Sequence, residues 1–406
     1  MKLFLQEKYK ESTDLINDLS SQQLNKKNKS RLKKVLDVML VGELYGLHTL
    51  KSILENLQIR SSNLYKIWQE QTYLQIKNMV MRLSASYFTK ELRDLVSKSE
   101  SSWSRSSVTI IVDDSIFKHW LKDGEGEIFY GKYFSGQHHC SVYGFQVQLI
   151  GVALGETFYP LFFQLVSKAE KSKKKALSLI KKVHSIFEQV ADSQGVVIPN
   201  LYLSVDSGFT DEDLIAYCES KSIGFIGVPK KTNIFTIDKE RTNLKTVIEQ
   251  RYLEEEKVFK NKKPNEAFLI RQKAYFHAED REVILLFFRL NGSKKVSVLF
   301  CSDLSIKSKT LRRRFFQRTK IELFFRLLKD TLKIQKSTSV DTKSFLKKLS
   351  LFIFKAIICL QFEKFCRKKF RRFKGWSFAK LRHHIIYQDI DKIVLENIIK
   401  DRPFAT

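Results

Sequence analysis

Two short apolar runs, VTIIV at residues 108–112 and LYLSV at 201–205, each lead directly into an aspartate, Asp113 and Asp206. Runs of this length, rich in β-branched residues and without polar alternation, predict strands buried on both faces. The chain between them reads as two further strands, around 142–154 and 157–166, and then a helix. Gly144 and Gly151 interrupt the first of these strands, as close backbone crossings or bulges require. From 169 to 190, Ala176, Leu179, Ile180, Val183, Ile186, Phe187 and Val190 recur at helical spacing, with lysines on the other face. Residues 211–221 predict another helix and 223–228 another strand. Strands first, then alternating helix and strand, mean a mixed α/β core around a buried sheet.

The flanks differ in texture. Residues 1–95 have helical periodicity, as in Leu32, Val35, Leu36 and Met39, and contain no proline. The segment 97–107, SKSESSWSRSS, breaks that pattern and reads as a linker. From 229 to 303 the pattern is strand-like, clearest at 268–277, 282–290 and 295–302, with Asn291-Gly292 as a hairpin turn. Beyond 303 the chain is helical and very basic.

Charge narrows the partner. Lys and Arg number 72 against 44 Asp and Glu, a formal +28 over 406 residues. Between 307 and 382 stand 24 Lys or Arg against four acids (Glu322, Asp330, Asp341, Glu363), so 20 of those 28 charges fall there. A surplus concentrated in this way points to a polyanion-binding face. Membrane is the weaker candidate. The most apolar stretch, 349–362, is interrupted by Lys355 and falls short of the roughly 20 apolar residues of a spanning helix. It reads as a buried helix. The N-terminus lacks the apolar run of a signal peptide. The five cysteines are scattered without a CxxC pair, and His138-His139-Cys140 has the wrong spacing for zinc. A reduced, cytoplasmic protein is expected.

Three carboxylates stand out by position. Aspartates at the carboxyl ends of neighbouring strands can meet and hold a hard cation such as Mg²⁺, although Asp is also a common turn residue. Asp114 rivals Asp113; Asp211, Asp213 and Asp303 are lesser rivals, read as a helix start and a strand end. In the helical sequence that follows, Ile321, Phe324, Leu328 and Leu332 form one apolar stripe. Arg318, Glu322 and Lys329 share a second stripe, either an acid set among phosphate-binding cations or an exposed face of ion pairs.

These residues resemble the DDE transposases of bacterial insertion sequences, in the cut-and-paste group with a β-strand insertion in the catalytic domain. That group has Tyr-x2-Arg-x3-Glu-x6-Lys on its last catalytic helix; this chain has Phe315, Arg318, Glu322 and Lys329 at those spacings, with Phe replacing Tyr. Asp113-Asp114-Ser115 is similar to the family's first motif, and Asp206-Ser207-Gly208-Phe209 to its second. The strand-rich stretch 229–303 falls where the insertion belongs.

The resemblance implies a ribonuclease-H-like mixed sheet with flanking helices, interrupted by a β-rich insertion and preceded by a helical domain. The implied boundaries are 1–100 for an N-terminal DNA-binding region, 105–228 for the first part of the core, and 229–303 for the insertion. Residues 304–340 would carry the final catalytic helix and 341–406 a basic helical tail. Asp113, Asp206 and Glu322 become the expected catalytic and metal-binding residues, holding two Mg²⁺ or Mn²⁺ ions. Arg318, Lys329, Phe315, Arg314 and Arg326 become expected DNA contacts. A wider basic set, Arg312, Arg313, Lys347, Lys348, Arg367, Lys368, Lys369, Arg371 and Arg372, would hold the duplex; Lys230 and Lys231 are either a DNA contact or an exposed loop. The expected partners are double-stranded DNA, as inverted-repeat ends and target, and a second copy of the chain. The competing readings are a non-catalytic DNA-binding derivative and a nuclease without strand transfer.

Overall fold

The runs at 108–112 and 201–205 become neighbouring parallel strands at the centre of a sheet. The computed structural model describes residues 73–97, 108–118, 128–135, 139–167, 172–196, 201–249, 269–289, 296–336, 341–369 and Lys380. The expectations for 1–72, the linker from 98, the Asn291-Gly292 turn and the basic tail from 370 lie outside these residues, except Lys380.

In chain order the elements are α1 (Tyr73–Val96), β1 (Val108–Lys118), β2 (Tyr130–Ser135), β3 (Cys140–Leu154), β4 (Thr157–Val166) and α2 (Ser172–Gln194). Next come β5 (Tyr202–Ser204), α3 (Glu212–Ser220), β6 (Gly224–Gly227), β7 (Ile234–Ile237), β8 (Glu240–Asn243), β9 (Leu269–Phe276), β10 (Arg281–Arg289) and β11 (Val296–Cys301). The last are α4 (Ser308–Phe316), α5 (Thr319–Arg326), a π-helical turn (Leu327–Thr331), a 3₁₀ turn (Ile334–Lys336) and α6 (Thr342–Lys369).

Two compact units are distinguished. The first, Thr89–Ser115 with Val147–Glu322, contains the sheet. Its strand order is β3-β1-β5-β6-β11-β10-β9-β7-β8, with β4 on the other side of β3. Strands β1, β5 and β6 are parallel, whereas β11 runs antiparallel to β6. This is the expected mixed sheet. The strands of the 229–303 stretch extend it, because β11 pairs with β6, β10 with β11 and β9, and β7 with β9 and β8. Helix α2 packs against β4 and α3. Its predicted stripe is buried at every position but Ile186, which is half-buried.

Two glycines of β3 lie where the backbone crowds. A Cβ on Gly151 would strike the Tyr159 carbonyl and the Phe158 ring of β4. The β3–β4 hairpin turns at Gly155, whose φ of 56° is the left-handed conformation that glycine adopts without strain.

The second unit comprises Met1–Phe88, Ile116–Gln146 and Leu323–Thr406. Here β2 pairs antiparallel with the first half of β3, and a Cβ on Gly144 would strike the Phe117 carbonyl. Helix α6 packs on the π turn and contributes Phe345, whose ring stacks on Phe145 with centroids 4.1 Å apart. The apolar stretch 349–362 forms the buried middle of α6. Among the described residues, no helix is long and apolar enough to cross a membrane.

Candidate active site

The register of β1 on β5 brings the two aspartates together. Thr109 pairs with Tyr202 and Ile111 with Ser204, so the same step carried two residues further sets Asp113 opposite Asp206. Side chains two apart on a strand share a face; Thr109, Ile111 and Asp113 therefore line up with Tyr202, Ser204 and Asp206. Asp114 falls on the alternate parity. The expectation that each aspartate ends its strand holds for Asp206 alone. Asp206 lies just past β5, but β1 continues through Asp113 and Asp114 to Lys118. Pairing in β1 therefore outlasts the apolar run, through partly buried polar residues to the fully buried Phe117.

Helix α4 crosses this face. It packs on β5, β6, β9 and β10, and Leu311 joins a buried cluster with Tyr202, Ile226, Ile284, Leu286, Phe288, Leu299, Cys301 and Ile306. The helix stops at Phe316, Gln317 and Arg318 form a turn, and α5 begins at Thr319. The predicted continuous helix is thus two helices with Arg318 at the joint. From there the guanidinium reaches all three acids: Nη1 lies 3.1 Å from Asp113 Oδ2 and 3.6 Å from Asp206 Oδ2, and Nη2 lies 2.9 Å from Glu322 Oε1. Since Asp113 and Asp206 approach the same nitrogen, their oxygens are no further apart than those two distances laid end to end. Lys320 hydrogen-bonds the Gly155 carbonyl, tying the start of α5 to the β3–β4 turn. Burial pulls that ammonium down to about 8.

The environments of the three acids differ. The Asp113 side chain is 14% exposed, against 42% for Asp206 and 44% for Glu322. Burial pushes the Asp113 carboxyl up to about 7 although the Arg318 charge pulls it down; the charges of Asp114 and Asp206 add to the rise. Both aspartates are also fixed by backbone donors. The Asp114 N–H donates to Asp113 Oδ1 at 2.9 Å, and the Gly208 N–H to Asp206 Oδ1 at 2.6 Å.

The other expected contacts fare differently. Arg314, expected on DNA, is corrected: it is 3% exposed, donates to the Val108 carbonyl at 2.7 Å, and lies over the Tyr202 ring. A guanidinium so enclosed has no face left for a phosphate. The ring of Phe315 packs against the cluster beneath α4, with the Arg318 guanidinium 5.9 Å from its centroid. Arg326 is exposed. The α-helical ladder on which the Arg318-Glu322-Lys329 stripe was drawn ends at Arg326. Lys329 lies in the π turn, in the second unit, 5.3 Å from the Phe117 centroid. The apolar stripe survives that change, with Ile321, Phe324, Leu328 and Leu332 all buried.

Sequence reasoning set Asp303 aside as a strand end and passed over Tyr202. The Tyr202 hydroxyl donates to Asp303 Oδ2 at 2.5 Å, and Asp303 also accepts from the Ser305 N–H and hydroxyl. Although burial pushes the Asp303 carboxyl up, these donors hold it below the usual carboxylate range. The available signals were the four-residue steps from Tyr202 to Asp206 and from Arg314 to Arg318. Asp211 stands at the N-cap position of α3, the helix start that its alternative reading gave.

The site opposes three carboxylates with one guanidinium. Among the described residues, no three His, Cys, Asp or Glu side chains stand close enough to share a metal ion; Arg318 lies among the acids instead. The donors fit a hard divalent cation in kind, being carboxylate oxygens only. They also fit in charge, because Arg318 alone leaves two negative charges uncompensated when all three acids ionise. Such a site repels a polyanion until further positive charge arrives.

A family model described as "Transposase DDE domain" matches residues 105–358, which takes in all four of these side chains. A comparison with curated proteins found none that matches the chain.

Proposed function

Because the chain belongs to the transposase DDE-domain family, we propose that it cuts DNA at the ends of a mobile element and joins the freed 3′-hydroxyls to target DNA. The observation that carries this reading is the gathering of Asp113, Asp206 and Glu322 around Arg318 in one compact unit. These carboxylates, 93 and 116 residues apart along the chain, are the ones that would hold the Mg²⁺ or Mn²⁺ ions. When bound, such ions neutralise charge on the scissile phosphate and lower the pKa of the attacking water or hydroxyl.

The side chains do the rest by position. Phosphoryl transfer needs alignment and charge compensation, with no protein nucleophile. Asp113, desolvated and fixed by the Asp114 N–H, is the rigid member; Asp206 and Glu322, more exposed, face the solvent from which DNA comes. Arg318 is the cation closest to the acids and would meet the phosphate beside the scissile bond. Phe315 has no hydroxyl to offer a phosphate and supports α4 from below. Arg326 and Lys329 lie further along the chain as backbone contacts, and the basic sequence beyond 341 holds the duplex through counterion release. Two copies of the chain would bring two element ends together.

The deciding experiment supplies end-bearing duplex and a target plasmid with Mg²⁺. Joined products support transposition. Cleavage without joined products supports a nuclease, and binding without cleavage a DNA-binding derivative.

A further inference from the structure

Each aspartate of the site has one oxygen engaged by a backbone N–H: Asp113 Oδ1 by Asp114 and Asp206 Oδ1 by Gly208. The opposite oxygens, both Oδ2, are the ones that Arg318 Nη1 approaches, while Nη2 takes Glu322 Oε1. The guanidinium therefore sits on the oxygens of all three acids that point inward. Its side chain is only 17% exposed, so little water screens these contacts. A divalent cation binding the same carboxylates needs oxygens at about 2.0–2.1 Å. A guanidinium kept on those oxygens would repel it strongly across so short a distance.

We propose that Arg318 is a resident counter-ion: it holds the three carboxylates together in the free protein and yields them to divalent metal when a DNA phosphate takes up the guanidinium. This rests on the reading that these acids are the metal ligands. Three carboxylates left unpaired in a partly buried site would repel one another, which accounts for an arginine at the joint between α4 and α5. Exchange of partners makes the two binding events cooperative. Phosphate draws Arg318 away and opens the acids, and by reciprocity metal favours the phosphate-bound arginine. The free protein thus resists loading metal, and with it cleavage chemistry, until DNA is in place.

The test is Mn²⁺ binding to the full-length protein, followed by loss of the free-ion electron paramagnetic resonance signal, without DNA and with a duplex of arbitrary sequence. Arg318→Gln is expected to tighten Mn²⁺ in the DNA-free protein by about fivefold or more, the low end of ordinary coupling. Duplex should tighten Mn²⁺ by a similar factor in the wild type and hardly at all in the variant. If a folded Arg318→Gln binds Mn²⁺ equally or more weakly, the arginine only organises the acids and the inference is wrong. Should that variant fail to fold, Arg318→Lys, a point charge unable to span three carboxylates, must show the same sign of change. If Asp206→Asn and Glu322→Gln leave Mn²⁺ affinity unaltered in both backgrounds, the metal-site reading itself falls, which separates the two failures.

Discussion

The guanidinium carbon of Arg314 lies 4.1 Å from the centroid of the Tyr202 ring, and the same arginine donates to the carbonyl of Val108. One buried side chain thus joins α4 to both strands that present the aspartates. Arg314→Ala removes a charged hydrogen bond to a backbone carbonyl and a ring contact, both buried. It is expected to lower the unfolding free energy by roughly 2–3 kcal/mol, measured by urea denaturation. Because Arg314 does not reach solvent, the salt dependence of DNA binding by the folded variant should match the wild type. A shallower dependence would mean that the arginine touches phosphate after all.

Gly151 offers a test of the sheet. Alanine there must push against the Tyr159 carbonyl and the Phe158 ring, and overpacking of this kind costs about 1–3 kcal/mol. The thermal midpoint of Gly151→Ala should drop accordingly; an unchanged midpoint would show that β3 and β4 are not so closely apposed.

Glu322→Gln and Asp206→Asn keep size and hydrogen bonding while removing charge. Even outer partners of metal sites are worth about 10–100-fold in activity, so each variant should lose more than about a hundredfold in Mg²⁺-dependent nicking of end-bearing plasmid and still bind duplex in a gel-shift assay. Near-normal nicking by either one would move the chemistry elsewhere.

Acidity should control metal loading through Asp113. Its carboxyl is raised from 3.8 to about 7 in the free protein, so the fold holds this proton more tightly than the unfolded chain does. The associated stability is full below the unfolded value and fades as pH climbs towards the folded one. Metal requires the ionised form. Mn²⁺ affinity should therefore increase between about pH 5 and 7 and level off above. An affinity flat across that window would contradict the assignment of Asp113 as a ligand.

Much of the core sheet could be read from its apolar runs, because a strand buried on both faces has few other compositions open to it. The buried stripe through Ile321, Phe324, Leu328 and Leu332 was equally legible, since periodicity registers burial even where the helix changes type. The short strands β2, β7 and β8 lie near the edges of their units, where burial is incomplete and the pattern weak; β8 reads Glu-Arg-Thr-Asn. Nor does composition tell that β1 outlasts its apolar run, or that α4 breaks at Gln317. The fate of each arginine was the hardest to foresee. Arg314 and Arg318 are one turn apart with the same chemistry, but one is enclosed against a tyrosine and the other is ringed by acids. Only the register of β1 on β5 makes that difference.

Strands β10 and β11 supply Ile284, Leu286, Phe288, Leu299 and Cys301 to the wall on which Ile306, Leu311, Phe315 and Phe316 rest. A shortened derivative lacking 229–303 would bare the greasy underside of α4 to water and leave Arg318 without a fixed hinge. Trimming that stretch to make a minimal enzyme would therefore give an insoluble product, not a smaller catalyst.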